Sequence, residues 1–141
     1  MMRMLMAAVL MAGASLAAAQ TVQLITEDEA KLPAASQASA RAITRGPGIK
    51  LLSPEAVGQS SFAFKVAFEP RGGSKIDPAS VQVVYLKNPQ VDITGRVKSG
   101  IGHGGIDLSA AKAPTGEHPI RVSVRDDEGR QGSATFNLVV R

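Results

Sequence analysis

The sequence predicts an all-β protein, an antiparallel β-sandwich of about seven strands. Three observations carry this. From Gly48 onward apolar and polar residues alternate with a period of two. Turn-forming clusters separate the alternating segments at intervals of roughly 8 to 12 residues. No helical periodicity of useful length follows Gly48.

Residues 49–52 (IKLL) precede a turn at Pro54. In 61–69 (SFAFKVAFE), Phe62, Phe64, Val66 and Phe68 share one face, and Lys65 and Glu69 point the other way. Only Phe136 among the phenylalanines lies elsewhere, so this strand should cross the centre of the core. Residues 81–87 (VQVVYLK) follow IDPAS, and 91–97 (VDITGRV) follow the Asn88-Pro89 turn. The short run 106–108 (IDL) comes after a glycine cluster. In 119–125 (PIRVSVR), Ile120, Val122 and Val124 face inward and Arg121, Ser123 and Arg125 outward. In 133–141 (SATFNLVVR), Ala134, Phe136, Leu138 and Val140 face inward. Between the last two lies DDEGRQG, a turn cluster whose Gly129 tolerates positive φ, so the chain should close with a β-hairpin.

Upstream of the strands the organisation changes. Residues 1–19 have the plan of a secretory signal peptide. Arg3 is a short positive region, an apolar run comes next, and Ala17-Ala18-Ala19 forms a cleavage site before Gln20. The apolar run is short for a membrane span of roughly 20 residues. Cleavage after Ala19 is expected to leave 122 residues, periplasmic or secreted and without a membrane span. Residues 20–47 read as a flexible arm, poor in large apolar groups, with one short helix started by the Thr26-x-x-Glu29 capping box. RGPG at 45–48 marks the boundary to a single domain, 48–141.

Composition narrows the function classes. The chain has no cysteine, so disulfides, thiol chemistry and thiolate metal sites are excluded. Its net charge of +4, with 16 basic and 12 acidic residues intermixed, is not the footprint of a nucleic-acid binder.

The segment TGEHPIRVSVRDDEGRQGSATFNLVV carries a resemblance. A turn glycine, an alternating strand, Asp-x-x-Gly and a final alternating strand succeed one another. This resembles the closing hairpin of bacterial immunoglobulin-like and fibronectin-III-like domains. The stretch FAFKVAFEPRGGSKIDPASVQVVYLKNP is similar to their early strands. The resemblance covers 48–141 and implies an immunoglobulin-like sandwich. With its exported N-terminus the chain resembles small periplasmic proteins of proteobacteria. No activity is implied, because such sandwiches serve adhesion, scaffolding and inhibition alike. The Cys…Trp…Cys pattern of antibody domains is absent.

Several chemistry-bearing patterns dissolve on inspection. GIGHGG at 100–105 fits the dinucleotide fingerprint G-x-G-x-x-G, with Asp126-Asp127 downstream where a ribose-binding acid would sit. That reading needs a helix directly after the glycines, to hold a pyrophosphate at its N-terminus. The succeeding IDLSAAKAPTGEHP is interrupted by Pro114, Gly116 and Pro119, so the stretch reads as a mobile connection between strands. His103 and His118 lack metal-ligand spacing, and Asp126-Asp127-Glu128-Gly129 lacks the spacing of a calcium loop. No cofactor, metal or catalytic residue is therefore assigned.

Outward-facing Lys65, Arg121 and Arg125 are the candidate binding residues. Should their strands pair, they would form a basic strip for an anionic partner. The expectation is a non-enzymatic exported binding or accessory module that recognises a protein or an anionic envelope polymer, by loop contact or strand addition. The rivals are a small hydrolase or metal-assisted enzyme using His103 and acids such as Asp107, and a structural subunit of a larger envelope assembly.

Overall fold

The computed structural model describes residues 21–35, 45–58 and 61–141. The predicted signal and most of the AASQASARA stretch lie outside them. In chain order the elements are β1 (Val22–Gln23), α1 (Glu27–Ala30), β2 (Gly48–Leu51), β3 (Ala56–Val57), β4 (Ser61–Glu69) and β5 (Ile76–Tyr85). After these come β6 (Val91–Asp92), α2 (Thr94–Val97), β7 (Ile101–Gly102), β8 (Gly105–Lys112), β9 (Gly116–Asp126) and β10 (Gln131–Val140).

Two five-stranded sheets face each other. The first runs β2-β4-β8, with β1 and β7 both paired to β8; the second runs β3-β10-β9-β5-β6. This is immunoglobulin-like connectivity: β2, β4, β8 and β7 take the A-B-E-D places, and β5, β9 and β10 the C-F-G places. The leading strand is divided between the sheets, β2 pairing with β4 and β3 with β10. The antiparallel expectation needs one correction. Both sheets are mixed, because β1 runs parallel to β8 and β3 parallel to β10.

The alternation has a direct physical outcome. Successive side chains of a strand point to opposite faces, so one parity enters the core. Phe62, Phe64, Val66 and Phe68 of β4 are buried against Val81, Val83 and Tyr85 of β5 and Ile120, Val122 and Val124 of β9. Leu138 and Val140 are buried as well, whereas Ala134 and Phe136 keep the predicted parity but are only half-buried. They lie on the part of β10 that is not paired with β3.

Some segments depart from the sequence reading, among them IDPAS, which is part of β5 and does not merely precede it. VDITGRV is not one strand: Val91–Asp92 pairs with β5, then the chain turns into α2 and a 3-10 turn, Lys98–Gly100. Asp92 Oδ1 accepts the Thr94 amide at 2.9 Å, and Thr94 Oγ1 accepts the Val83 amide at 2.9 Å, which bends the chain away from the sheet edge. Ile93 and Val97, both fully buried, fit i,i+4 spacing as well as alternation, so the period was ambiguous.

The arm is a further correction, over its described part 21–35. The chain before β2 is a strap built into the sandwich. Val22 and Gln23 pair with Ala111 and Lys112, and Leu24 and Ile25 are fully buried. The expected capping box is formed, with Thr26 Oγ1 accepting the Glu29 amide and Glu29 accepting the Thr26 amide. Arg96 then grips the strap. Its Nη1 donates to the Leu24 carbonyl at 3.1 Å and to Glu29 Oε2 at 2.7 Å, and its Nη2 to Glu29 Oε1 at 2.5 Å.

Candidate functional site

The topology separates the three predicted cations. Lys65 lies on β4 of the first sheet, and Arg121 and Arg125 lie on β9 of the second. All three point away from the core, so they occupy opposite outer faces and form no common strip. β4 pairs with β2 and β8, never with β9. Lys65 instead meets Asp107 at 3.8 Å across the β4–β8 pair. Arg121 and Arg125 remain together, flanked by Val84 and Thr135 in one row and by Asp77 and Gln131 in the other.

The glycine stretch is a tight hairpin. Gly102 pairs with Gly105 between β7 and β8, leaving His103 and Gly104 at the tip. Gly105 has φ 146°, and a Cβ there would collide with the Val66 carbonyl. The segment is thus fitted against β4, and no helix succeeds it that could cradle a phosphate. This replaces the expected mobile connection with part of the sheet. One open trough of about 530 Å³ lies beside the hairpin, bounded by Leu52, Lys65 and Asp107.

The hairpin tip belongs to a larger arrangement at one end of the sandwich. Three connections meet there: 70–75 between β4 and β5, the β7–β8 tip, and 127–130 between β9 and β10. His103 Nδ1 lies 3.3 Å from the Ile76 carbonyl and donates to it, while the Phe68 amide donates to the Gly104 carbonyl at 3.0 Å. Lys75 and Asp127 exchange bonds: the Lys75 amide donates to Asp127 Oδ1 and the Asp127 amide to the Lys75 carbonyl.

Asp126 is the clamp of this end. Its buried carboxylate accepts the amides of Glu128 and Arg130 through Oδ1 and Arg130 Nε, at 2.9 Å, through Oδ2. Burial alone would push its pKa up. The hydrogen bonds and charge of Arg130 outweigh that and leave it below the ordinary carboxylate value. Arg130 Nη2 reaches on to the Arg71 carbonyl at 3.2 Å, tying two connections together. Arg71, Lys75, Asp127, Glu128 and His103 are left exposed.

A second polar group sits inside the sandwich. His118 is 1 % exposed and Tyr85 fully buried, with Tyr85 Oη 2.9 Å from His118 Nδ1. His118 Nε2 lies 2.6 Å from the Pro114 carbonyl, which can only accept. The imidazole therefore carries its hydrogen on Nε2, and the tyrosine hydroxyl donates to Nδ1. Burial holds the His118 pKa below its ordinary value, aided by the charge of Lys87 and opposed by the bond to Pro114. Burial, then the charge of Glu29, push Tyr85 up to about 12. Parity could have found this pair: His118 shares the even positions of Ile120, Val122 and Val124, and Tyr85 the odd ones of Val81 and Val83.

Fold and surface define the class, an immunoglobulin-like β-sandwich with one end of cross-braced, charged connections. Comparison with family models, curated proteins and solved structures gives no match.

Proposed function

We propose that the chain is a non-enzymatic exported binding or accessory module that contacts a protein or envelope polymer through the braced end of its sandwich. The carrying observation is that three connections hold one another. Asp126, Arg130 and Arg71 form one tie, the Lys75–Asp127 exchange another, and His103 with Gly104 a third. Connections fixed before contact lose little conformational entropy on binding, which favours recognition. The exposed charges around them, Arg71, Lys75, Asp127 and Glu128, supply partner-specific pairing.

The hydrolytic alternative gains less support. His103 spends Nδ1 on the Ile76 carbonyl, whereas Asp107 turns toward Lys65, so these two groups converge on no common point.

Photocrosslinking tests the reading. A photoreactive residue placed at Arg71, Lys75 or Glu128 should yield adducts with the same partner in native envelope material. One at Ser109, on the outer face of the first sheet, should yield none. Equal labelling from Ser109 would remove the braced end from consideration. Loss of a hydrolytic activity in folded His103→Ala or Asp107→Ala would replace the binding reading with the enzymatic one.

A further inference from the structure

A second surface stands apart from the braced end. The outer face of the second sheet presents Gln82 and Val84 from β5, Arg121, Ser123 and Arg125 from β9, and Ser133 and Thr135 from β10. Register aligns these in rows: Val84, Arg121 and Thr135; Gln82, Ser123 and Ser133; then Asp77, Arg125 and Gln131. The two guanidinium groups leave one strand four residues apart, about 13 Å at roughly 3.3 Å per residue. Hydroxyl and amide side chains fill the space between them.

Neither arginine has a carboxylate within ion-pair distance among the described residues. Asp77, opposite Arg125, and Asp92, opposite Val84, each direct one carboxylate oxygen to a backbone amide. Asp77 Oδ1 accepts the Ala79 amide, and Asp92 Oδ1 accepts the Thr94 amide. Shallow depressions open at both ends of β9. One, of about 220 Å³, is bordered by Gln82, Ser123, Arg125 and Gln131. The other, of about 600 Å³, is bordered by Glu117, Pro119, Thr135 and Asn137. Arg121 stands on β9 between the residues that border the two depressions.

The chemistry of the face chooses among anionic partners. Protein interfaces draw their energy from buried aromatic, methionine and arginine anchors in an apolar centre. This face has no aromatic, methionine or leucine side chain among its described outward residues, only Val84 and Val139 as sizeable aliphatics. It offers instead two forked guanidinium groups, which bind carboxylates in pairs of parallel hydrogen bonds. Around them stand groups that both donate to and accept from hydroxyls. We propose that the outer face of the second sheet, anchored by Arg121 and Arg125, binds a carboxylate-bearing polysaccharide.

The face reads charge and hydroxyls with no ring-stacking platform, so binding is salt-sensitive. The inference is independent of the braced end, because substitutions on this face leave the three connections intact.

Calorimetric titration of the full chain with polygalacturonate oligomers tests it, with dextran and poly-glutamate as neutral and peptide controls. Polygalacturonate should bind, more weakly as salt is raised, and dextran should not. Arg121→Gln with Arg125→Gln should weaken binding at least about tenfold, while Lys65→Gln on the opposite face leaves it unchanged. Gln82→Ala with Ser133→Ala should cost several-fold in affinity with the same salt dependence. Should the double arginine variant lose its fold, Arg125→Gln alone, at an exposed position, repeats the test. Absence of polygalacturonate binding would overturn the proposal, as would an equal loss in Lys65→Gln or undiminished binding by a folded arginine variant. Poly-glutamate binding as tight as polygalacturonate would replace the polysaccharide with an acidic protein.

Discussion

His118 shows how one buried side chain ties pH to stability. The fold keeps it neutral, donating through Nε2 to the Pro114 carbonyl and accepting from Tyr85 at Nδ1. Its folded pKa lies below the ordinary value near 6.5. As pH falls through 6.5 the unfolded chain takes up a proton that the folded chain resists. The stabilising contribution is therefore complete above 6.5 and is lost as pH falls toward the folded pKa. Urea midpoints should drop between pH 7 and pH 5 in the wild type and fall less in His118→Gln. Identical pH profiles would show that this imidazole is not the responsive group. Glu29 behaves differently: its hydrogen bond to Arg96, working against burial, holds it at about 2, so the ion pair of the strap outlasts the imidazole on acidification. Among residues read from sequence, the phenylalanines of β4 were legible because alternation alone decides their side. Arg121 and Arg125 were legible as outward for the same reason, but the partner of Lys65 was not.

At the level of elements the strap is the piece that sequence reasoning misplaced. Its capping box was readable, being local chemistry within four residues. Its docking was not, since Val22 pairs with Ala111 and no nearby residue signals that contact. Two adjacent buried side chains, Leu24 and Ile25, also match neither strand nor helix period. The strap nevertheless contributes core. Leu24→Ala should destabilise the protein by about 2–5 kcal/mol, as large-to-small changes in packed interiors do, whereas Thr21→Ala, at an exposed position, should leave it near wild type. Chemical denaturation would measure both, and a neutral Leu24→Ala would mean that the strap is not part of the core. In the glycine hairpin the local pattern was legible and its context decided the outcome. Glycines at dinucleotide-binding spacing hold a phosphate only when a helix begins directly after them, and here β8 begins instead.

The whole molecule is held by one interior shared between two sheets, with β4 supplying its largest side chains from the first sheet and Tyr85 from the second. Phe64 is 1 % exposed at its centre. Phe64→Ala should cost about 3–5 kcal/mol and keep a single unfolding transition, because both sheets lose packing together. Two separated transitions in calorimetry, or a near-neutral change, would contradict a common core. What the sequence determined by itself was the class of fold, the inward faces of β4, β9 and β10, and the closing hairpin. These arise from alternation and turn chemistry, which act over a few residues. Tertiary structure alone decided which strands pair, and with that the docking of the strap, the meeting of Tyr85 with His118 and the division of Lys65 from Arg121 and Arg125. The physical reason is that alternation tells a strand which of its faces to bury but carries no information about the neighbour at its edge.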